Sequence, residues 1–182
     1  MKKSIISLQV IASAAMLSAI SIILGKYLAF GVGNVLRFSF ENLPILFAGI
    51  AFGPTVGGLV GAVADLVGCL LVGYEINPLV TLGAISIGTV SGICYHLFKK
   101  ARLHLAFAIS FSIISAHLIG SVIIKTFGLA AFYDFPFIIL MLWRLLNYII
   151  VGAVECMLIY TLVKNRAISS AIASVKGGKS GK

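Results

Sequence analysis

Charged residues are scarce in this chain of 182 amino acids: they make up 10% of the sequence, and only five are acidic. Soluble domains carry about 25% charged residues, so this chain cannot cover a water-exposed surface. A soluble enzyme, a disordered chain and a coiled coil are therefore excluded. The hydrophobic share of 60% and the mean hydropathy of +1.14 predict a single integral membrane domain instead.

The sequence also lacks the short motifs of several chemistries. Its three cysteines, Cys69, Cys94 and Cys156, lie inside apolar runs without C-x-x-C spacing, which argues against disulfides and zinc. No nucleophile–base pair, no metal-ligand spacing and no phosphate-binding G-x-x-x-x-G-K-[ST] loop is recognisable. The sequence therefore predicts no enzyme activity, no metal site and no cofactor bound by this chain.

Six apolar runs are candidates for membrane crossing, which takes about 20 helical residues. They are residues 5–29, 43–52, 55–73, 79–98, 105–124 and 137–163. The second run is short, so length alone does not decide whether it crosses.

The positions of the cations decide that question, because Lys and Arg accumulate on the cytoplasmic side. Ten of the fourteen are Lys2, Lys3, Lys99, Lys100, Arg102, Lys164, Arg166, Lys176, Lys179 and Lys182. Four crossings before residue 99 and two after it keep all ten on one side. The sequence predicts an all-α membrane domain over residues 1–165, with six transmembrane helices, a short second helix and both termini cytoplasmic. Residues 166–182 are predicted to be a disordered basic tail.

The other four cations are predicted at the external ends of helices or in external loops. They are Lys26, Arg37, Lys125 and Arg144. Polar groups at this depth are costly and mark functional sites by default. Two explanations stay open: they pair with the external acids Glu41, Glu75 and Asp134, or they line an external ligand pocket that takes anions.

Each of three predicted helices has one face on which polar or small residues recur at helical spacing. The sets are Gly57, Gly61 and Asp65; His117, Ser121 and Lys125; and Arg144, Asn147, Tyr148, Val151 and Glu155. A polar group facing lipid is costly, so we expect these faces to point into the bundle. For Asp65 and His117, hydrogen-bonded structure and ligand contact both stay open. Trp143 fits a membrane-surface aromatic belt as well as a binding role.

The loop over residues 30–44 alternates in polarity around Arg37 and Phe38. This alternation predicts a short extended segment that lids a pocket, with Gly31 and Gly33 as hinges. Its mixture of rings and cations suits a flat anionic ligand, because rings stack and Arg pairs with carboxylates.

Several motifs of this region resemble one membrane protein family. They are Arg37-Phe-Ser-Phe-Glu-Asn-Leu-Pro44, Phe52-Gly-Pro54, Gly57-Gly58-x-x-Gly61-x-x-x-Asp65 and Gly68. They resemble the vitamin-binding S components of energy-coupling factor (ECF) transporters, and the folate-specific members most. The resemblance implies a multi-pass protein of the bacterial plasma membrane. It also implies that the protein acts in a complex with a membrane T component and two cytosolic ATPases. Only the ATPases use ATP. The family's Ala-x-x-x-Ala contact with the T component matches Ala15 and Ala19.

Folate would make definite demands on such a pocket. Stacking on its pterin ring or hydrogen bonding to it is predicted for Phe38, Asp65, Trp143 and Asn147. Binding of the carboxylates of its glutamate tail is predicted for Arg37, Lys125 and Arg144. Tyr74 and His117 complete the predicted binding residues. Two alternatives are the same fold with another vitamin, such as riboflavin or thiamin, and a stand-alone ion-coupled carrier that uses Asp65 and Glu155.

Overall fold

The computed structural model describes residues 7–32, 36–133 and 136–177, except for the side chains of residues 30–32, 36, 37 and 133. Its helices are α1 (Leu8–Ile22), α2 (Asn42–Phe52), α3 (Pro54–Val72), α4 (Pro78–Lys100), α5 (Leu105–Ala116), α6 (Lys125–Tyr133), α7 (Phe137–Lys164) and α8 (Arg166–Gly177). Two π-helical segments continue these helices: Ile23–Tyr27 follows α1, and His117–Ile124 joins α5 to α6.

Within the described residues, five helical stretches are long and apolar enough to cross a membrane. They are Leu8–Tyr27, Pro54–Val72, Pro78–Lys100, Leu105–Phe132 and Phe137–Lys164. The apolar α2 has only 11 residues, which matches the expected short second helix. The prediction of a helical multi-pass membrane protein is confirmed. A sixth crossing by α2 and the cytoplasmic position of both termini stay predictions.

Small residues hold α2, α3 and α4 together. A methyl group added at Gly88 would collide with the Gly57 backbone, and one added at Gly57 would collide with Gly49 and Gly88. Helices in membranes associate by this kind of close backbone approach. The glycine spacing on α3 therefore reports helix packing, as expected, and it fixes the face on which Asp65 lies.

The chain breaks between helices where the local sequence demands it. Gly53, with φ of 100°, ends α2, and Pro54 opens α3 because proline suits the first helical position. Asn77 caps α4, since its side chain accepts hydrogen bonds from the N–H groups of Leu79 and Val80. The same side chain donates to the Gly128 carbonyl at 3.0 Å, which ties the start of α4 to α6.

The loop after the first helix contains the predicted extended segment. Strands β1 (Phe30–Val32) and β2 (Leu36–Phe38) pair antiparallel, with Gly31 opposite Arg37. The predicted hinge at Gly33 lies outside the described residues. The extended segment predicted from the alternation over residues 35–40 is confirmed for β2, β1 was not predicted, and the role of a lid stays a prediction.

The predicted disordered tail is wrong for residues 166–177, which form α8. Ile168, Ile172 and Val175 recur at helical spacing and are half-buried, so the helix has an apolar side. The Ser7 hydroxyl donates to the Val175 carbonyl at 3.2 Å and ties α8 to the start of α1. Basic composition concealed this amphipathic pattern. Residues 178–182 lie outside the described part of the chain.

Candidate functional site

A polar cavity of about 410 Å³ opens at the end of the bundle where α3 ends and α4 begins. Its lining includes Lys26, Ser39, Glu41, Asp65, Cys69, Tyr74, Glu75, Asn77, Val80, Lys125, Leu129, Arg144, Asn147 and Tyr148. The volume falls within the range of about 300–1,000 Å³ that is usual for small-molecule sites. Side chains far apart in sequence therefore converge on one space large enough for a ligand.

An ion pair crosses one wall of the cavity. The Lys125 ammonium donates to Oε1 of Glu41 at 3.2 Å, and only 3% of Lys125 is exposed. The stem of Lys125 packs on Gly83, where an added methyl group would collide with it. The explanation that external cations pair with acids is thus right for Lys125, whose ammonium is held at the cavity.

Lys26 reaches the cavity from the π-helical segment that follows α1. Its ammonium lies 5.3 Å from the centre of the Tyr74 ring and 4.0 Å from the Cys69 sulfur. A cation over an aromatic face is attracted by the negative face of the ring. Lys26 and Tyr74 therefore form one cation–aromatic corner of the cavity.

Asp65 lines the cavity from α3. Its Oδ2 accepts a hydrogen bond from the Thr81 hydroxyl at 2.7 Å, and Thr81 is buried on α4. This bond fixes the carboxylate between the two helices. Asp65 thus has a structural partner and also lies on the lining of the cavity, so the structural interpretation is confirmed and ligand contact stays a prediction.

Arg144 is held by the irregular helix between α5 and α6. The Lys125 N–H bonds to the Gly120 carbonyl, five residues back, and not to Ser121, its α-helical partner. The Ser121 carbonyl instead accepts from Nη1 of Arg144 at 2.7 Å. The π-helical register therefore provides the acceptor that positions Arg144 at the cavity.

A second layer of polar residues lies behind the wall. His117 Nε2 lies 2.5 Å from Oε2 of Glu155, and its Nδ1 lies 3.2 Å from the Ser121 hydroxyl. The imidazole stacks on Tyr148 with ring centres 4.6 Å apart. Glu155 is fully buried. Because Tyr148 lines the cavity, His117 supports the wall from behind.

The predicted site residues divide into two groups. Asp65, Tyr74, Lys125, Arg144 and Asn147 line the cavity together. Among the other described side chains, His117 lies behind the wall, and neither the half-buried Phe38 nor Trp143, which is 40% exposed, belongs to the lining. This placement of Trp143 fits the aromatic belt. The side chain of Arg37 lies outside the described part of the chain.

Several lining residues are missing from the sequence prediction of the site. They include Ser39, Glu41, Cys69, Glu75 and Asn77. Lys26 also lines the cavity, as one of the four predicted external cations, and so does Tyr148, from the predicted polar face of α7. The acids Glu41 and Glu75 join Asp65, so the lining combines three acidic with three cationic side chains among the residues that the structure describes. The described lining is therefore mixed in charge, which agrees with the open alternative that the external cations lie beside external acids. The sequence signal for these acids is that they are predicted on the same external side as the four cations.

Fold and cavity define a class: a multi-pass helical membrane protein with a polar space between its helices at one end of the bundle. Residues 9–163 match the family model described as ECF transporter, substrate-specific component. The chain belongs to this family, and the resemblance noted in the sequence is confirmed. The protein is a substrate-binding component of a transporter, not an enzyme. No curated relative matches the chain.

Solved structures share the fold at low sequence identity. A crystal structure of FolT bound with folic acid matches with a TM-score of 0.68 at 24% identity, over 85% of this chain and 92% of that one. An S component for biotin matches with a TM-score of 0.68 at 15% identity, over 87% and 92%. The S component of a bacterial ECF transporter matches with a TM-score of 0.63 at 21% identity, over 85% and 95%.

Proposed function

We propose that this chain captures folate at the outer face of the bacterial plasma membrane and delivers it inward as the S component of an ATP-driven ECF transporter. The observation that carries the proposal is the mixed charge of the cavity. Lys125 and Arg144 lie on the same lining as Asp65. Folate needs both charges, since its glutamate tail has two carboxylates and its pterin edge donates hydrogen bonds.

The chemistry assigns each end of folate to a side of the cavity. The Asp65 carboxylate and the Asn147 amide suit the donors and acceptors of the pterin edge. Tyr74, with Lys26 above its ring, offers an aromatic surface for stacking. Lys125 and Arg144 suit the glutamate carboxylates, and Arg binds such groups through two parallel bonds. We place Arg37, Phe38 and Trp143 at the mouth of the site, where the hairpin would close over the ligand.

The proposed topology has six crossings, with α2 counted as the short one and both termini in the cytoplasm. The partners are an energy-coupling T component and two cytosolic ATPases. ATP is used by those partner subunits only, and folate is the transported ligand, not a cofactor. This arrangement rests on family membership and on the distribution of cations in the sequence.

A surface on α1 suits the contact with the T component. Ala15 and Ala19 are exposed, four residues apart on one face. Ala15 also lines a groove of about 260 Å³ between α1 and α3. Small side chains allow a partner helix to approach closely, so we propose that the T component packs here.

Biotin is the second candidate, because the biotin S component shares the fold with the same TM-score of 0.68. Biotin has one carboxylate, which leaves part of the cationic lining without a counter-charge. Another vitamin, such as riboflavin, and a stand-alone carrier using Asp65 and Glu155 are further alternatives. Uptake by the chain alone, without any ATPase, would favour the carrier.

The ligand carried through purification tests the proposal. The protein is expressed in cells that contain folate, biotin and riboflavin, purified in detergent, and its bound small molecules are identified by mass spectrometry. We expect a folate, with its occupancy reduced in a Lys125→Gln variant. Biotin or riboflavin at full occupancy, with no folate, would overturn the choice of folate and leave the family assignment intact.

A further inference from the structure

A second, smaller cleft lies at the opposite end of the bundle from the ligand cavity. α4 starts at Pro78 beside the cavity and runs for 23 residues to Lys100, a rise of about 35 Å. The cleft, of about 110 Å³, lies at the far end of this helix and is bounded by α2, α7 and α8 as well. Its lining includes Ile50, Ala51, Tyr95, His96, Lys99, Val163, Ser169, Ile172 and Lys176. We call it the basic cleft.

The docking of α8 creates this cleft. Val175 packs against the core, and its carbonyl accepts the hydrogen bond from Ser7 at 3.2 Å. Ile172, one helical turn earlier, contributes to the apolar floor of the cleft. These contacts bring Lys176 of α8 next to Lys99 of α4. The two ammonium groups thus share one concave surface because the helix is held in place.

The basic cleft has an unbalanced positive charge. The five acids of the chain are Glu41, Asp65, Glu75, Asp134 and Glu155. Glu41, Asp65 and Glu75 line the ligand cavity, Glu155 pairs with His117, and no carboxylate of the described residues lines the cleft. Four more cations lie nearby in sequence, at Lys100, Arg102, Lys164 and Arg166. The cleft therefore lacks a counter-charge from the residues that the structure describes.

The local contacts show the cost of this arrangement. Partial burial and the neighbouring Lys99 ammonium lower the pKa of Lys176, because both disfavour its charged form. The Lys99 ammonium lies 5.9 Å from the centre of the Tyr95 ring, which directs it over the cleft. Ser169 adds a hydroxyl donor to the lining. An anion between the two lysines would remove their mutual repulsion.

We infer that the basic cleft binds a phosphate group, supplied by the headgroup of an anionic phospholipid. Lys99 and Lys176 would contact the phosphate oxygens, and Ser169 would donate a hydrogen bond. A lipid is favoured over free phosphate because the half-buried Val163 and Ile172 line the cleft together with its lysines. These apolar side chains offer a surface for acyl chains, and lysines near a membrane surface attract anionic lipids.

Native mass spectrometry of the full chain tests this site with defined lipids. Phosphatidylglycerol and phosphatidylcholine are added in turn to the protein in detergent, and the bound fractions are compared. We expect wild type to retain phosphatidylglycerol preferentially. The double variant Lys99→Gln/Lys176→Gln should bind it about thirtyfold more weakly. This is the affinity change expected when the attraction of two lysines to an anionic lipid is lost.

The matched control removes the same charge at the same end of the bundle. In Lys100→Gln/Lys164→Gln, neither altered residue lines the cleft, and the Lys164 ammonium lies over the Tyr160 ring at 5.3 Å. This variant should retain most of the phosphatidylglycerol binding. Folate binding, measured in parallel, should be unchanged in both variants. Because lipid binding is measured without any vitamin, its result does not depend on which vitamin the cavity takes.

Inorganic phosphate identifies the recognised group. If millimolar phosphate displaces phosphatidylglycerol from wild type, the anion site is supported and free phosphate competes for it. Equal losses in the two double variants would mean general surface attraction, and equal binding of both lipids would mean that charge is not recognised. Either outcome overturns the inference. So does normal lipid binding by Lys99→Gln/Lys176→Gln combined with failure to assemble with the transporter's other subunits, because the cleft would then be a protein contact.

Discussion

Lys125 and Glu41 are 84 residues apart in the sequence, yet the Lys125 ammonium lies 3.2 Å from the Glu41 carboxylate at the cavity wall. The lysine is almost completely buried, whereas the side chain of Glu41 is 31% exposed. A buried cation needs a partner at all times. Glu41 therefore serves as the counter-ion of Lys125, and we propose that a carboxylate of the ligand exchanges with it.

This exchange predicts opposite effects for the two partners. Lys125→Gln should weaken folate binding by about ten- to a hundredfold, the value of a hydrogen bond to a charged group. Glu41→Gln should bind folate at least as tightly as wild type, because the carboxylate that competes for Lys125 is gone. Calorimetric titration measures both. Equal weakening in the two variants would contradict the exchange and leave the ion pair as structure only.

Gly68 offers a mild way to displace Lys26. A methyl group at this position would lie 2.9 Å from Cε of Lys26, the far end of a flexible side chain, so the fold should tolerate Gly68→Ala. We expect an unchanged melting temperature and folate binding weakened by about tenfold or less, because one cation is moved and not removed. Gly73→Ala controls for the loss of a nearby glycine with no atom in the way, although its positive φ of 69° costs some stability. A large fall in melting temperature for Gly68→Ala would show that the position is a packing residue.

Removing one partner of the His117–Glu155 pair should lower the free energy of unfolding more than removing both. His117→Leu leaves the Glu155 carboxylate buried without its partner and should cost about 3–5 kcal/mol. Glu155→Gln should cost less, since the amide can still hydrogen-bond to the imidazole. His117→Leu/Glu155→Leu should recover part of the loss. Reversible denaturation of the purified protein measures all three, and a double variant less stable than His117→Leu would contradict the account.

Bulky side chains on α1 should block folate transport without affecting folate binding. Ala15→Leu/Ala19→Leu should abolish folate uptake by cells that contain the whole transporter, and folate binding by the purified chain should remain. Met16→Phe is the control, because Met16 is 67% exposed on a neighbouring face of the same helix. If the alanine variant loses binding as well, these residues belong to the fold of the chain and not to its contact with the T component.

Sequence periodicity located the parts of the site that depend on one helix. Asp65 follows from the glycine spacing on α3, and Arg144 and Asn147 follow from the polar face of α7. These predictions succeed because a regular helix places residues three and four apart on one face. All three side chains line the cavity.

The contacts that the sequence leaves undefined depend on geometry that a regular period does not contain. Lys26 lies in the π-helical segment Ile23–Tyr27, whose turn differs from the α-helical one. The sequence predicts pairing between external cations and acids, but which acid meets Lys125 depends on how distant parts of the chain pack together. For α8 the spacing of Ile168, Ile172 and Val175 indicates a helix, whereas the basic composition of the segment favours disorder.

Calorimetric titration of the purified, ligand-free chain with folate, and then with pteroate, which lacks the glutamate tail, tests the central claim most directly. The account predicts that wild type binds folate more tightly than pteroate, and that Lys125→Gln removes most of this difference. Lys100→Gln, at the opposite end of α4, should leave the difference intact. No folate binding, or equal affinity of wild type for folate and pteroate, would contradict the claim that the cationic side of the cavity recognises the glutamate carboxylates.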